Sequence, residues 1–329
     1  MSTATKMSAS AVAHSNIALA KYWGKLDVTR NLPAVPSLSL TLDGLRTVTH
    51  VTFDPELGED RFTLDGHDEA GTALHRVGAL LDRVRALAGT RDFAHVESRN
   101  DFPTAAGLAS SASGFAALAL AASRALGLRL DLQTLSSLAR AASASAARSV
   151  FGGFVALAAG AESAVRIAPA DHLDVTMVVA VTATGPKSIG STSGMLHTQA
   201  TSPYYTRWLE TAPQLFERVR AGVLERDLTT LGTAMEQSTL LMHASMMAAA
   251  PPLLYLAPAT LSVMQLVRQL RDEGVPAFFT MDAGPHVKVL TPKDSGARVA
   301  AALEASPAVV RVLRCEPGPD AHELTGHAP

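Results

Sequence analysis

An aspartate stands where an apolar segment ends and a sharp bend begins. Asp282 follows the predicted strand at 277–281, and a Gly-Pro pair comes two residues after it. A carboxylate held partly buried at such a point could orient a hydroxyl group or remove its proton. An aspartate that only caps the bend would give the same pattern. His286 follows, but no His, Asp or Glu stands at metal-ligand spacing with it, so no metal site is predicted.

Two lysines flank an aromatic segment near the N-terminus. Lys21 and Lys25 enclose Tyr22, Trp23 and Gly24, in a chain with only six lysines among its 28 basic residues. An ammonium group is a compact charge that suits phosphate or carboxylate, and on a helix both groups would share one face. Two solvated lysines beside a half-buried tryptophan are the alternative.

A run of small residues at 103–112 leads into an uncharged segment that predicts a helix. Gly107 provides a turn, and Ser110 and Ser111 stand near the expected first turn of the helix. Free backbone N–H groups and the helix dipole favour an anion there. No Gly-Lys-Ser/Thr follows, so the segment is not a Walker A loop. A capped, alanine-rich core helix is the alternative.

Two further segments carry hydroxyl groups. In the segment that begins at Ser143, Arg148 follows Ser145 by three residues, so both of these side chains can face one anion, for which the guanidinium fork suits a carboxylate. An ordinary arginine at a helix C-terminus is the alternative. The segment 187–194, with Ser191 and Thr192, is a weaker signal and by itself favours a polar loop with a helix cap.

The elements that would position these residues change character along the chain. The first half mixes strands at 47–53, 94–98, 154–159 and 164–167 with helices at 69–87, 105–123 and 132–147. After a linker at 169–172, strands at 174–182, 277–281, 287–290 and 309–313 and helices at 203–226, 228–247 and 259–273 predict an α+β half with its own core. The Pro/Gly/His-rich segment from Glu316 predicts a frayed end.

Composition excludes several classes of protein. The chain has 329 residues, enough for one large or two medium domains, and its 28 basic and 30 acidic residues argue against a sequence-independent nucleic-acid binder. The single cysteine, Cys315, excludes a disulfide framework and fits a reducing cytoplasm.

The uncharged segment 105–123 is rich in Ala, Gly and Ser, so a buried helix is predicted rather than a membrane span. No apolar signal segment precedes it, and a cytoplasmic protein without a membrane partner is expected.

Taken in order, five motifs resemble those of the diphosphomevalonate decarboxylase family of the GHMP kinase superfamily. They are Asn-Ile-Ala…Lys-Tyr-Trp-Gly-Lys from residue 16, Asn-Leu-Pro…Ser-Leu-Ser-Leu-Thr-Leu from 31, Phe-Pro-Thr-Ala-Ala-Gly-Leu-Ala-Ser-Ser-Ala from 102, Ser-Ala-Ser-Ala-Ala-Arg-Ser-Val-Phe-Gly-Gly from 143, and Asp-Ala-Gly-Pro from 282. The resemblance spans about residues 11–290.

The resemblance implies an α+β GHMP kinase fold with the active site in a cleft between two domains. An N-terminal α/β domain, ribosomal S5 domain 2-like with a left-handed crossover, would comprise residues 1–172. A ferredoxin-like α+β C-terminal domain would comprise residues 173–329. A homodimer is also implied.

The same resemblance implies an enzyme that uses ATP and Mg²⁺. Such enzymes phosphorylate the tertiary 3-hydroxyl of mevalonate 5-diphosphate; phosphate then leaves, carbon dioxide is lost and isopentenyl diphosphate forms, in the mevalonate pathway of isoprenoid biosynthesis. A decarboxylase of 5-phosphomevalonate or of a related 3-hydroxy acid, a mevalonate 3-kinase and a catalytically silent nucleotide-binding regulator are the alternatives.

Roles for individual residues follow from the resemblance. Asp282 would be the catalytic carboxylate near the 3-hydroxyl, Lys21 would lie beside it and the transferring phosphoryl group, and Arg148 would hold the substrate carboxylate. The residues expected around the substrate phosphates are Tyr22, Lys25, Ser143, Ser145, Ser191 and Thr192. Those expected around the ATP phosphates are Pro103, Gly107, Leu108, Ala109, Ser110 and Ser111.

The chain departs from the family pattern at positions expected near the pocket. It has Val35-Pro36 where the family usually has Asn-Ser, Thr239-Leu240 where Ser-Asn is common, and Gly190 and His286 where Ser and Asn are common. With these changes, the sequence does not decide between mevalonate 5-diphosphate and 5-phosphomevalonate as the substrate. The 3-kinase relatives lack the Asp/Lys pair, so Asp282 with Lys21 favours decarboxylation.

Overall fold

The computed structural model describes residues 5–102, 110–183 and 189–325. Within these ranges the strands are β1 (Met7–Ala20), β2 (Lys25–Asp27), β3 (Leu32–Pro33), β4 (Ser37–Asp54), β5 (Arg61–Leu64), β6 (His67–Glu69), β7 (Phe93–Asn100), β8 (Phe154–Leu157), β9 (Val165–Ala168), β10 (Val175–Val181), β11 (Phe278–Met281), β12 (Val287–Pro292), β13 (Arg311–Cys315) and β14 (His322–Leu324). The helices are α1 (Thr72–Ala88), α2 (Ser110–Ala125), α3 (Leu132–Ala142), α4 (Ala146–Ser149), α5 (Ser191–Thr201), α6 (Tyr205–Leu224), α7 (Leu228–Met247), α8 (Pro258–Asp272) and α9 (Gly296–Glu304), with a 3-10 helix at Lys293–Ser295.

The two longest strands, β1 and β4, form the centre of the first sheet. They pair antiparallel along nearly their whole lengths. Over the described residues this sheet has eight strands in the order β14-β1-β4-β7-β5-β6, and β8 and β9 continue it beside the first half of β4. The pairing of β5 with β7 is parallel. Helices α1, α2 and α3 bury apolar side chains against one face of the sheet, which contributes Val51, Phe53 and Val96 to this core.

The second sheet has the strand order β11-β12-β10-β13 and is antiparallel. Because side chains alternate between the faces of a strand, Val287 and Val289 of β12 point to α8 and α9, while Leu290 points to the opposite face. Around that opposite face, Leu290 and Phe278 join a core that also contains Ile17 and Leu19 of β1. The two sheets therefore share a core, and the division at residues 172 and 173 stays a prediction.

Most of the predicted elements occur, and α7 covers the predicted range 228–247. The single helix predicted at 132–147 is wrong: the backbone becomes extended at Ser143 (φ −155, ψ 120), which separates α3 from α4. The helical alternative for residues 16–25 is also wrong. Its first residues belong to β1, because their backbone groups pair with β4, and β1 pairs further along with β14.

The chain end predicted to fray is instead packed onto the first sheet. β14 pairs with β1, and the Gly152 N–H donates to Asp320 Oδ1 at 2.7 Å. Gly152 permits this approach, since a Cβ atom there would lie 2.5 Å from the Pro319 carbonyl carbon. The prediction failed because composition alone does not show that residues 318–320 pack closely against the backbone at Gly152.

Helix α2, whose one charged residue is Arg124 in the last turn, is buried in the first core from Ala112 onward. A buried helix was predicted for 105–123, of which 105–109 lie outside the described residues. None of the helices in the described ranges has the length and apolar character that a membrane crossing needs.

Candidate active site

Asp282 lies between two buried lysines. Lys21 Nζ is 2.6 Å from Asp282 Oδ1, and Lys288 Nζ is 3.1 Å from Asp282 Oδ2. Both lysine side chains are 1% exposed, whereas the Asp282 side chain is 29% exposed. The lysines are thus enclosed, and the carboxylate has one open side.

Helix α7 anchors the two strand ends that bring this pair together. The Lys21 N–H, just after β1, donates to Ser238 Oγ at 3.0 Å. The Thr239 hydroxyl donates to the Met281 carbonyl at 2.7 Å and accepts from the Met281 N–H at 3.1 Å. Residues 261 positions apart are therefore held at fixed separation by adjacent residues of one helix.

The charges of the cluster depend on each other. Burial opposes ionisation of Asp282, but the ammonium groups of Lys21 and Lys288 outweigh it and hold the pKa of the carboxyl well below its usual range. Burial lowers the pKa of Lys21 to about 8, although Asp282 acts in the opposite direction. Asp282 is therefore an anion throughout the neutral range.

His243 of α7 completes the inner side of the cluster. Its ring lies against the backbone of Met281 and Asp282, and Nε2 is buried without a hydrogen-bond partner among the described residues. Burial and the Lys21 charge lower the pKa of His243 to about 4, so the imidazole is neutral near pH 7. His286 is also buried, and its Nδ1 accepts from the Thr182 N–H at 3.1 Å.

Arg148 is a buried cation with neutral partners. Its Nη1 donates to Ser37 Oγ at 2.7 Å and its Nε donates to Ser39 Oγ at 3.0 Å. It is 2% exposed, and within the described part of the chain it forms no ion pair. Burial lowers its pKa to about 10. A buried guanidinium without a carboxylate is suited to an external anion. Arg148 does lie in the last turn of α4, but its side chain is buried and not solvated at the helix end.

The break between α3 and α4 lies shortly before this arginine in the chain and brings two hydroxyl groups together. Ser143 Oγ and Ser145 Oγ are 3.2 Å apart. Asn16 of β1 fixes the start of α4, because its Nδ2 donates to the Ser145 carbonyl at 3.0 Å and to Ser149 Oγ at 2.7 Å. The break thus exposes polar groups that a continuous helix would not.

Lys25 and Tyr22 are also enclosed, so the solvated-lysine alternative is wrong. Lys25 is 8% exposed, and burial together with the nearby Arg76 lowers its pKa. No ion pair to Lys25 forms among the described residues. The Tyr22 hydroxyl is buried and lacks a hydrogen-bond partner there.

Ser191 and Thr192 are the first residues of α5, which packs against the aromatic segment. A Cβ atom at Gly194 would lie 3.2 Å from the Trp23 ring, so the helix passes directly beside the residues that follow Lys21. Contact of Ser191 and Thr192 with a substrate stays a prediction. Lys187 lies outside the described residues.

A pocket of about 160 Å³ opens at the start of α2. Its lining includes the hydroxyl residues Ser110 and Ser111 and the apolar residues Phe62, Leu64 and Phe115. The arrangement suits a planar apolar group joined to phosphates at a helix N-terminus. The remaining predicted ATP-contacting residues, Pro103, Gly107, Leu108 and Ala109, lie outside the described residues.

Within the described ranges no group of three or more His, Cys, Asp or Glu side chains could hold a metal ion. Magnesium is commonly bound through substrate phosphates and water with few protein oxygens; the hydroxyl oxygens of Ser110 and Ser111, which line the pocket, are hard donors of the kind that such a cation takes.

Several residues of the site were not found from the sequence. Lys288 lies inside a predicted strand, where a lysine among apolar residues was a usable signal. Ser37 and Ser39 alternate with leucines, which predicts two hydroxyls on one strand face. Asn16 begins the first of the five motifs, but neither it nor His243 was assigned a specific role.

Departures from the family pattern have structural explanations. Val35 is buried beside Trp23 in an apolar cluster, and Ser37, which keeps the family residue, holds Arg148. Thr239 anchors the end of β11, and Leu240 is 42% exposed on α7.

The fold is that of an enzyme of the GHMP kinase superfamily, and the buried cations cluster where the two sheets meet. Residues 13–168 match the family model for the diphosphomevalonate decarboxylase-like N-terminal domain, and residues 177–312 match the mevalonate 5-diphosphate decarboxylase C-terminal domain. The chain belongs to the diphosphomevalonate decarboxylase family.

Individual relatives agree with this assignment. The chain is 37% identical to diphosphomevalonate decarboxylase of Candida albicans, over 86% of this chain and 83% of the relative. It superimposes on mevalonate diphosphate decarboxylase from Staphylococcus aureus with a TM-score of 0.93 and 37% identity, covering 98% and 99% of the two chains. For MDDEF in complex with MVAPP, AMPPCP and magnesium the TM-score is 0.91 and the identity 41%, covering 98% and 100%. The predicted family, fold class and enzyme class are confirmed.

Proposed function

We propose that the chain catalyses ATP-dependent decarboxylation of mevalonate 5-diphosphate to isopentenyl diphosphate, ADP, phosphate and carbon dioxide. The observation that carries this proposal is the buried cluster in which Lys21 and Lys288 contact one carboxylate, Asp282, and Arg148 lies near enough for Asp282 to influence its pKa. Enclosed positive charge in excess is costly. A substrate with a carboxylate and phosphates supplies the missing negative charge.

The first step is transfer of the γ-phosphoryl group to the 3-hydroxyl. Asp282 orients the hydroxyl and accepts its proton as the new O–P bond forms and the bond to the leaving ADP breaks. Lys21, 2.6 Å from Asp282, neutralises charge on the transferring group. Phosphoryl transfer depends mainly on such positioning and electrostatic stabilisation.

The second step is loss of phosphate and carbon dioxide. The C3–O bond breaks, phosphate leaves with the bonding electrons, and cationic character develops at C3. The electrons of the bond to the carboxylate then form the carbon–carbon double bond, and carbon dioxide is released. Arg148, fixed by Ser37 and Ser39, would hold the carboxylate in line for this step.

The substrate phosphates would lie against Lys25 and the residues around it. Lys25 is enclosed beside Arg76 and forms no ion pair in the described ranges, which favours a phosphate-bearing substrate. The proposed contacts are Tyr22, Lys25, Ser143, Ser145, Ser191 and Thr192.

ATP and Mg²⁺ would bind at the start of α2. The pocket there combines an apolar wall with Ser110 and Ser111 at the helix N-terminus, and a relative has been solved with AMPPCP and magnesium. Ser110 and Ser111 would contribute hydroxyl oxygens to the phosphates or the metal. When bound, magnesium neutralises charge on the nucleotide phosphates.

The test is turnover with ATP and, side by side, mevalonate, its 5-phosphate and its 5-diphosphate. ADP formation and carbon dioxide release are measured together. We expect both products, in equal amounts, with the 5-diphosphate as the best substrate. Preference for the 5-phosphate would show that 5-phosphomevalonate, and not the 5-diphosphate, is the substrate. ADP without carbon dioxide would indicate a kinase, and nucleotide binding without turnover would indicate a silent regulator.

We further propose that the chain is a cytoplasmic homodimer. Its single cysteine, Cys315, is buried and free, which fits a compartment where disulfides do not form. Light scattering of the purified chain measures the oligomeric state, and a monomer at micromolar concentration would contradict the dimer.

A further inference from the structure

Lys288 occupies the middle of the second sheet. It belongs to β12, which pairs with β10 on one side and β11 on the other, opposite Val179 and Thr280. Its neighbours Val287 and Val289 are buried against α8 and α9, and the alternation of the strand turns Lys288 toward the shared core. A lysine here takes a position at which the rest of the strand carries apolar residues.

Stability does not explain a charge at this place. Removing an ammonium group from water is expensive, and apolar residues of similar volume often replace buried ion pairs without loss of stability. Among the described residues, the carboxylate that Lys288 pairs with is Asp282, at 3.1 Å. The position of the lysine is therefore tied to Asp282.

The two carboxylate oxygens of Asp282 have different surroundings. Oδ2, the oxygen next to Lys288, has no contact with solvent. The side chain as a whole is 29% exposed, so the oxygen available to a ligand is Oδ1, which Lys21 also contacts at 2.6 Å. Lys288 lies behind the carboxylate and Lys21 lies beside its reactive edge.

We infer that Lys288 is a positioning residue, whose ammonium group fixes Oδ2 of Asp282 and thereby presents Oδ1 to the 3-hydroxyl of the substrate. This inference rests on the proposed function. It gives the two lysines separate tasks: Lys21 meets the transferring phosphoryl group, and Lys288 acts only through Asp282.

The charged and titratable groups that face Asp282 come from several elements. Lys21 follows β1, Lys288 is on β12, His243 is on α7, and Arg148 on α4 is near enough for Asp282 to influence its pKa. His243 is neutral near pH 7. Among the residues that the structure describes, Lys288 and Lys21 are therefore the two charges in contact with the carboxylate.

The test replaces Lys288 by methionine, which keeps the length of the side chain and removes the charge. Asp282 then loses one of the two positive charges that lower its pKa. We therefore expect the acid limb of the kcat/KM profile for mevalonate 5-diphosphate to move up by about one to three pH units. At pH 7 we expect kcat/KM to fall by about tenfold or more. In an Asp282→Asn background, Lys288→Met should have no further effect on kcat/KM. A lysine that served only stability would lower Tm and leave the acid limb in place.

Lys293→Met is the matched control, since Lys293 follows the same strand but is 55% exposed and pairs with Glu316. It should leave the profile unchanged. A Lys288→Met profile that superimposes on the wild type, or an equal loss in the Asp282→Asn background, would overturn the inference.

A substrate-free readout separates this inference from the proposed function. The protein is labelled with ¹³C-aspartate, and the NMR signal of the Asp282 carboxyl is assigned by its loss in Asp282→Asn. This signal should titrate at higher pH in Lys288→Met than in the wild type. If the wild type releases no carbon dioxide, the proposed function fails and the carboxyl titration still decides the role of Lys288 toward Asp282. An unchanged titration refutes that role.

Discussion

At the scale of single residues, the site is an excess of buried positive charge held by neutral hydroxyl groups. Ser37 and Ser39 bond Arg148, and Ser238 bonds the backbone of Lys21. Hydroxyl partners fix the direction of a cation without neutralising it. The charges therefore remain available to an anionic ligand, in contrast to a structural salt bridge.

Replacing Arg148 by lysine tests this arrangement. A lysine keeps the charge, but its single ammonium group cannot reach Ser37, Ser39 and a ligand carboxylate with the geometry of the guanidinium fork. We expect KM for the 5-diphosphate to rise about tenfold or more, since charged hydrogen bonds contribute about 1.5–3 kcal/mol each. Steady-state kinetics and calorimetry measure it. Arg166→Lys, at an exposed ion pair with Asp320, is the control. An unchanged KM would remove Arg148 from the substrate site.

The buried neutral His243 predicts a pH dependence of stability. Its native pKa is about 4, against about 6.5 in an unfolded chain. Between these values the unfolded chain binds a proton that the native protein does not, so the free energy of unfolding falls as pH falls from 6.5 to 4. The contribution of this group reaches about 3 kcal/mol.

Urea unfolding at several pH values measures this effect. His243→Gln should lose stability less steeply than the wild type between pH 6.5 and 4, with the exposed His75→Gln as the control for the substitution itself. Equal slopes in His243→Gln and the wild type would show that His243 is protonated in the native state.

The residues of the site were predictable to different extents. Asp282 and Lys21, 261 positions apart, were paired through the family resemblance, because no local pattern links such distant residues. Arg148 was found, but its partners Ser37 and Ser39 were not, since contacts between α4 and β4 depend on tertiary packing. Lys288 was missed, because in a predicted strand a lysine is ordinarily assigned to the solvent face.

At the scale of elements, irregular backbone at the ends of regular elements positions the site. β1 was missed because its alanines and serines carry little strand propensity, and pairing with β4 and β14 determines its structure. α6 and α8 were found, since their apolar residues recur with a clear helical period, and α7 was found although its apolar periodicity is weak. The break after α3 was missed, because the alanine-rich sequence around Ser143 has high helix propensity.

Gly24, in the turn between β1 and β2, predicts the cost of disturbing such a segment. Its φ is +111, and a Cβ atom there would lie 2.1 Å from Tyr205 Oη. Gly24→Ala should therefore lose about 1–3 kcal/mol to backbone strain and a further amount to the displaced tyrosine. Because Lys21 and Lys25 lie on either side, kcat/KM should also fall.

Two variants separate these causes. Gly44 has φ +86 and no atom within 4 Å of a Cβ position, so Gly44→Ala should lose stability through backbone strain alone. Combining Gly24→Ala with Tyr205→Phe removes the closest contact and should restore part of the stability. If Gly24→Ala and Gly44→Ala lose equal stability in urea unfolding, the tyrosine contact has no energetic role.

At the scale of the whole molecule, the two sheets do not have separate interiors. The core between them contains Ile17 and Leu38 from the first sheet and Phe278 and Leu290 from the second. β14, at the far end of the chain, pairs with β1. The proposed active site lies along this junction, so separation of the sheets would part Lys21 from Asp282.

This shared core predicts that the chain unfolds in one cooperative transition. If one half unfolded first, the other would expose its side of the core to water, at a cost of about 25 cal/mol per Å² of apolar surface. We expect urea unfolding curves from far-UV circular dichroism and from fluorescence of Trp23 and Trp208 to coincide. Leu290→Ala should lower the common midpoint by the equivalent of about 2–5 kcal/mol without separating the curves. Loss of tryptophan signal while much of the helical signal remains would show that the halves unfold independently.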